Sequence, residues 1–252
     1  MGDLIDSAEK MAKSEGVLSV MYAGLRGVAG PAFAPILVGH FVKEARNVRS
    51  IGQSLDFALS YKFMGVSIAP VQVREEIDEL LRLVGSLKPH TVLEIGTASG
   101  GTLFLFTRVA TDDAEVISID LPEGESGEGY PAWKSRLFRS FALDGQKVRL
   151  IRADSHSSET LNEIRNVLDG RPVDFLFIDG DHTYEGVRRD FEMYSPFVRE
   201  GGIIAFHDIC PGPVENVGGV PDFWQEIITK QACKSIVKDH NQGGYGIGVL
   251  NQ

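Results

Sequence analysis

The apolar run Thr91-Val92-Leu93-Glu94-Ile95 gives way to Gly96-Thr97-Ala98-Ser99-Gly100-Gly101 and then to Leu103-Phe104-Leu105-Phe106. This order predicts a buried strand, a tight turn and a helix. An open α/β sheet presents backbone N–H groups to a nucleotide-like ligand in this way, with the helix N-terminus behind the turn. The turn has the form E-x-G-x-x-x-G, on Glu94, Gly96 and Gly100. Ala98 stands where the dinucleotide fingerprint needs a second glycine.

Downstream, the same alternation repeats. Short apolar runs at 91–95, 115–119, 148–152, 173–178 and 202–206 read as strands. Helical spacing runs through Leu161, Ile164 and Leu168 after a Ser157-Ser158 N-cap, and through Tyr184, Val187, Phe191, Tyr194 and Val198. Alternation of this kind implies a parallel sheet covered on both faces. Residues 235–238 and 245–250 flank Asn241-Gln242-Gly243-Gly244 and predict an antiparallel hairpin. The expected architecture is therefore an α/β, Rossmann-like, mostly parallel seven-stranded sheet with a C-terminal antiparallel hairpin.

The first sixty residues lack the alternation and predict short helices broken by Gly24, Gly27, Gly30, Pro31 and Pro35. Residues 71–87 carry Val73, Ile77, Leu80, Leu81, Val84 and Leu87 at helical spacing, stopped by Pro89. We divide the chain into a helical N-terminal extension, 1–70, serving as a lid or oligomer contact, and a ligand-binding domain, 71–252. The apolar stretch 20–42 would bury between copies of the chain in a homo-oligomer. Within it, residues 28–42 make no membrane span, since Pro31 and Pro35 interrupt them and His40 lies inside.

Bulk properties exclude some functions. A formal net charge of −10 repels phosphate backbones, so no nucleic-acid partner is expected. Only Cys210 and Cys233 are present, too few for a disulfide framework, which fits a reducing cytoplasm. Hydrophobic residues at 43% suffice for a large core.

Acids at the ends of the predicted strands are the chemical candidates. Glu94 ends the first, and Asp120 ends the second, 26 positions later. An acid at the second strand end can accept hydrogen bonds from ribose hydroxyls. Asp154, Ser155 and His156 follow the third strand and could meet an adenine amino group; capping of the next helix explains Asp154 equally well. Phe177-Ile178-Asp179-Gly180-Asp181-His182 delivers two acids and an imidazole into one turn, and imidazole is the usual general base near neutral pH. Asp208, after His207, ends the fifth strand beside the fourth, so Asp179 and Asp208 can face each other. Two such carboxylates repel unless a proton or cation lies between them, and their oxygens suit Mg²⁺ or Mn²⁺. The loops 121–133 and 209–222 fall at the same sheet edge, where Tyr130, Trp133 and Trp224 could line an acceptor pocket.

Three stretches, Leu93-Glu94-Ile95-Gly96-Thr97, Phe177-Ile178-Asp179-Gly180-Asp181-His182-Thr183-Tyr184-Glu185-Gly186 and Gly218-Gly219-Val220-Pro221-Asp222-Phe223-Trp224, give the chain a family likeness. From about residue 61 to 250 it resembles the class I S-adenosylmethionine (SAM)-dependent O-methyltransferases of the macrocin O-methyltransferase type. The related cephalosporin hydroxylase or rhamnosyl O-methyltransferase type is more similar still. The resemblance implies a SAM-dependent enzyme methylating a hydroxyl oxygen of a small molecule, a sugar or glycoside, with a divalent metal. Glu94, Gly96, Thr97 and Gly100 would then hold the methionine part of SAM, Asp120 the ribose, and Asp154 or Ser155 the adenine. Asp179, His207 and Asp208 would hold the metal, and His182, with Asp179, would be catalytic. At His207 the family commonly carries a carboxylate; imidazole suits Mn²⁺, Fe²⁺ or Zn²⁺ better than Mg²⁺. Two other classes compete: an NAD-linked oxidoreductase, which Ala98 and the acid–histidine cluster oppose, and a non-catalytic SAM-binding module. A hydroxylase lacks its facial triad here.

Overall fold

The computed structural model describes residues 17–123 and 129–252. The chain opens with helices α1 (Val17–Ala45) and α2 (Ile51–Ser60), a two-stranded ribbon of β1 (Lys62–Phe63) and β2 (Val66–Ser67), and helix α3 (Arg74–Leu87). Then come β3 (Thr91–Ile95), α4 (Gly101–Val109), β4 (Glu115–Asp120), α5 (Lys134–Arg139), β5 (Lys147–Arg152), α6 (Ser158–Leu168), β6 (Val173–Ile178), α7 (Tyr184–Tyr194) and β7 (Val198–His207). The chain closes with α8 (Val214–Val217), α9 (Val220–Lys230), β8 (Cys233–Ile236) and β9 (Ile247–Asn251).

The seven-stranded sheet has the order β5-β4-β3-β6-β7-β9-β8. The first five strands run parallel, and β9 pairs antiparallel with β7 and β8. Strand order reverses between β3 and β6, and open α/β sheets bind ligands outside the carboxyl ends at such a crossing. Every residue of β3 and β6 is buried, as expected of central strands covered on both faces. This is the Rossmann-like sheet expected from the sequence.

Several boundaries differ from expectation, each for a physical reason. The glycines and prolines before residue 45 do not break the chain into short helices: α1 runs through Pro31 and Pro35. Ala34, Leu37 and Phe41 along it are buried, and this packing outweighs the missing backbone donors. The expected breaks at Gly24 and Gly27 fall inside α1 too; residues 1–16 lie outside the described residues. Helix α7 ends at Tyr194, and a 3₁₀ turn containing Pro196 hands Val198 to β7. The hairpin strands sit lower on the chain at β8 and higher at β9, leaving residues 237–246 as a long connection.

Side chains of α1 and α2 share one core with the sheet. Phe41 makes ring contacts with Phe57, Tyr61, Phe104 and Phe141. Among the described residues no helix is long and apolar enough to cross a membrane.

Candidate active site

A cleft of about 990 Å³ opens at the carboxyl edge of the sheet. Gly96, Ala98 and Asp120 form one end, Asp154, Ser155 and His156 flank it, and Asp179, His182, His207 and Asp208 lie on its wall. The strand ends bring these groups together because parallel strands all point their carboxyl termini the same way.

Two motifs meet at Gly96. Its φ is +95°, and a Cβ there would stand 1.9 Å from the Asp179 carbonyl oxygen. The Asp179 N–H donates to Ile95 O at 2.9 Å. Only a residue without a side chain lets the turn and the Asp179 loop lie in contact.

Asp120 organises the turn. One oxygen accepts from the Thr97 and Ala98 N–H groups at 3.0 and 2.7 Å, and the other from the Leu121 N–H at 2.7 Å. Burial pushes its carboxyl above the ordinary value, against those three bonds. Glu94, Thr97 and Gly100 belong to the turn but not to the cleft wall. Glu94 is fully buried and accepts from the Ser118 hydroxyl, which also bonds Thr97 Oγ1 at 2.6 Å. Its other oxygen has no hydrogen-bond partner. Burial drives the Glu94 carboxyl up to about 8.

Asp154 is exposed on the wall and turns back to accept from the His156 N–H at 2.8 Å. His156 pairs through Nε2 with the fully buried Asp190 at 3.2 Å, and this bond raises its pKa.

The strongest electrostatics lie around Asp179. Its Oδ1 is 3.4 Å from His182 Nε2 and 3.3 Å from His207 Nδ1. Asp208 Oδ2 is 3.7 Å from His182 Nε2 and 3.3 Å from His207 Nδ1. Burial alone would raise the Asp179 carboxyl, but the two imidazoles hold it down at about 2. Asp179 in turn lifts His182 to about 9. Burial works against charging His207, and the two acids overcome it, lifting the imidazole to about 10. Asp179, His182 and Asp208 each offer a ligand atom within 4.8 Å of the others. The spacings match edges between ligands around one ion, and the donor set fits a divalent cation.

Three contributors carried no sequence signal. Gln72 Nε2 donates to Asp179 Oδ2 at 3.3 Å, the Tyr245 N–H donates to Asp208 Oδ1 at 3.1 Å, and His182 Nδ1 donates to Asn216 O. Gly218 explains part of the third motif: at φ +52° it packs where a Cβ would stand 2.0 Å from the His182 carbonyl oxygen. Among the described residues the expected aromatic lining does not appear. Tyr130 and Trp224 are buried in the core, and neither they nor Trp133 line the cleft.

Comparison with known proteins agrees with this geometry. Residues 93–209, from β3 to just past Asp208, match the family model described as a methyltransferase domain. The chain is 29% identical over 172 residues to the uncharacterized protein y4gI of Sinorhizobium fredii, covering 67% of this chain and 18% of that one. It is 27% identical over 117 residues to mycinamicin VI 2''-O-methyltransferase of Micromonospora griseorubida, covering 39% of this chain and 29% of that one. The chain thus spans less than a third of the length of both relatives. Among solved structures, the O-methyltransferase from Bacillus cereus in complex with SAH superposes with a TM-score of 0.54 at 19% identity, over 84% of this chain and 96% of that one. The chain therefore has the Rossmann-like fold of the class I O-methyltransferases, and the segment from β3 to just past Asp208 matches a methyltransferase domain.

Proposed function

We propose that this chain transfers the methyl group of SAM to a hydroxyl oxygen of a small molecule, a sugar or glycoside, at a site that also holds a divalent cation. The observation that carries the reading is the single cleft joining the glycine turn and Asp120 to the Asp179–His182–Asp208 cluster. On this reading the turn and Asp120 would take the nucleoside, and the cluster on the adjoining wall would take the hydroxyl proton. The hydroxyl acceptor rests on the family resemblance and on the likeness to a 2''-O-methyltransferase.

When bound, SAM would supply an activated methyl on a sulfonium, and a divalent cation held by Asp179 and Asp208 would favour the alkoxide form of a hydroxyl. The remaining work falls to the chain. The Gly96 turn admits the ligand close to the backbone, and Asp120, with three of its acceptor sites taken by backbone N–H groups, keeps one on Oδ1 for a ribose hydroxyl. His207 is 3% exposed and sits behind the acids, whereas His182 is 36% exposed on the wall. His182 is therefore the imidazole that reaches the acceptor. Its Nδ1–H donates to Asn216 O; a cation held by Asp179 and Asp208 would offset the negative charge that keeps the ring protonated, freeing Nε2 to act as a base. There it takes the hydroxyl proton, while the wall holds the oxygen in line with the methyl carbon.

The test is His182→Ala, scored by transfer of labelled methyl from SAM to a panel of glycosides. Turnover should fall by roughly 10²–10⁴-fold with affinity for S-adenosylhomocysteine (SAH) nearly unchanged. Equal turnover in the variant removes His182 from the mechanism.

A further inference from the structure

The two acids of the cluster are each gripped by one oxygen, and both grips lead back to the same short segment before and within the first turn of α3. Gln72 holds Asp179 directly: its amide donates to Oδ2, leaving Oδ1 toward His182 and His207. Glu76 reaches Asp208 by one relay. It is 1% exposed and accepts three hydrogen bonds from the connection between β8 and β9. These come from the Lys238 N–H at 2.9 Å, Gln242 Nε2 at 2.8 Å and the Gly246 N–H at 2.9 Å.

That connection carries Tyr245, whose N–H donates to Asp208 Oδ1, leaving Oδ2 toward the imidazoles. The Cys210 N–H returns a bond to Tyr245 O at 2.9 Å. Both Asp208 and Tyr245 hold a left-handed backbone, at φ 60° each, which a non-glycine residue keeps only where its surroundings impose it. No strand of the sheet supplies these constraints. Gln72 reaches Asp179 directly from 107 positions away, and Tyr245, 37 positions past Asp208, is in a connection that Glu76 holds.

We propose that Gln72 and Glu76 are positioning residues for the cation: together they fix the orientation of Asp179 and Asp208, so that one oxygen of each faces a shared ion. The inference rests on reading the cluster as a cation site. Neither side chain bonds to Gly96 or Asp120, so ligand binding at that end serves as the control. Residues that orient metal ligands typically change metal affinity by roughly 10–100-fold when removed.

The experiment uses the full-length chain and two probes, Mn²⁺ alone followed by electron paramagnetic resonance, and SAH followed by calorimetry. The variants are Gln72→Leu, which removes one amide beside the cleft, and Glu76→Gln, which sets a donor against a donor without changing shape. Each variant should weaken Mn²⁺ binding by roughly tenfold or more while SAH affinity stays within about twofold, SAH binding also reporting that the fold is intact. Unchanged Mn²⁺ affinity in both variants overturns the positioning role and leaves the cation site standing. Equal loss of both ligands also overturns it, since that marks a general structural contribution. A wild-type chain that binds no Mn²⁺ overturns the cation reading, and the positioning role with it.

Discussion

A carboxyl group with no exposure, and a hydroxyl donor on only one oxygen, does not stay ionised at neutral pH. Glu94 is in that state, with its pKa moved from 4.5 to about 8 by burial. In the unfolded chain the group titrates near 4.5, so between these values the unfolded state is ionised and the folded one is not. Its contribution to stability is therefore full below about pH 4.5 and is lost as pH rises toward 8. Glu94→Gln removes the titration. The melting-temperature difference between variant and wild type should move in the variant's favour from pH 5 to pH 8, by the equivalent of a few kcal/mol at most. A difference independent of pH contradicts the assignment. At Gly96 the argument is steric. Gly96→Ala forces a Cβ into the Asp179 carbonyl at a positive φ, and SAH affinity should drop by at least about tenfold in calorimetry, with backbone strain costing about 1–3 kcal/mol. Retained affinity contradicts the close approach. Glu94, Asp120, Asp179 and Asp208 were legible in the sequence because each ends an apolar run. Gln72, Asn216 and Tyr245 were not, because their only signal is a tertiary contact from a connection.

Among the elements, the strand–turn–helix unit β3–α4 was the easiest to read, since period, turn chemistry and burial agree there. Helix α1 was the hardest. Gly30, Pro31 and Pro35 are breakers by local rules, yet the helix continues because Ala34, Leu37 and Phe41 pack inside and Gly30 lies against Trp133. Aromatic residues in the loop 121–133 likewise carry no local sign of facing core or cleft. The burial of Phe41 among four aromatic rings makes α1 part of the sheet's own core. Phe41→Ala should cost about 3–5 kcal/mol in urea unfolding, as a single transition. A cost near zero would show that α1 adds nothing to that core.

At the scale of the molecule, the parallel sheet does the assembling. Five strand ends, separated widely in sequence, arrive at one edge, and strand order reverses between β3 and β6, where Gly96 meets Asp179. That reversal joins the glycine turn to an acid–imidazole cluster in one cleft, and the proposed chemistry follows from their adjacency. The adjacency of β3, β6 and β7 follows from the alternating pattern once a doubly wound order is assumed; the bracing of the site by residues 72–76 and 237–246 does not. The most direct measurement is calorimetric titration of the full chain with SAH, with and without Mg²⁺ or Mn²⁺, and with NADH as the control. The account predicts SAH binding at roughly micromolar affinity, about −8 kcal/mol, and no comparable binding of NADH. Absence of SAH binding under every metal condition, or a preference for NADH, would contradict it.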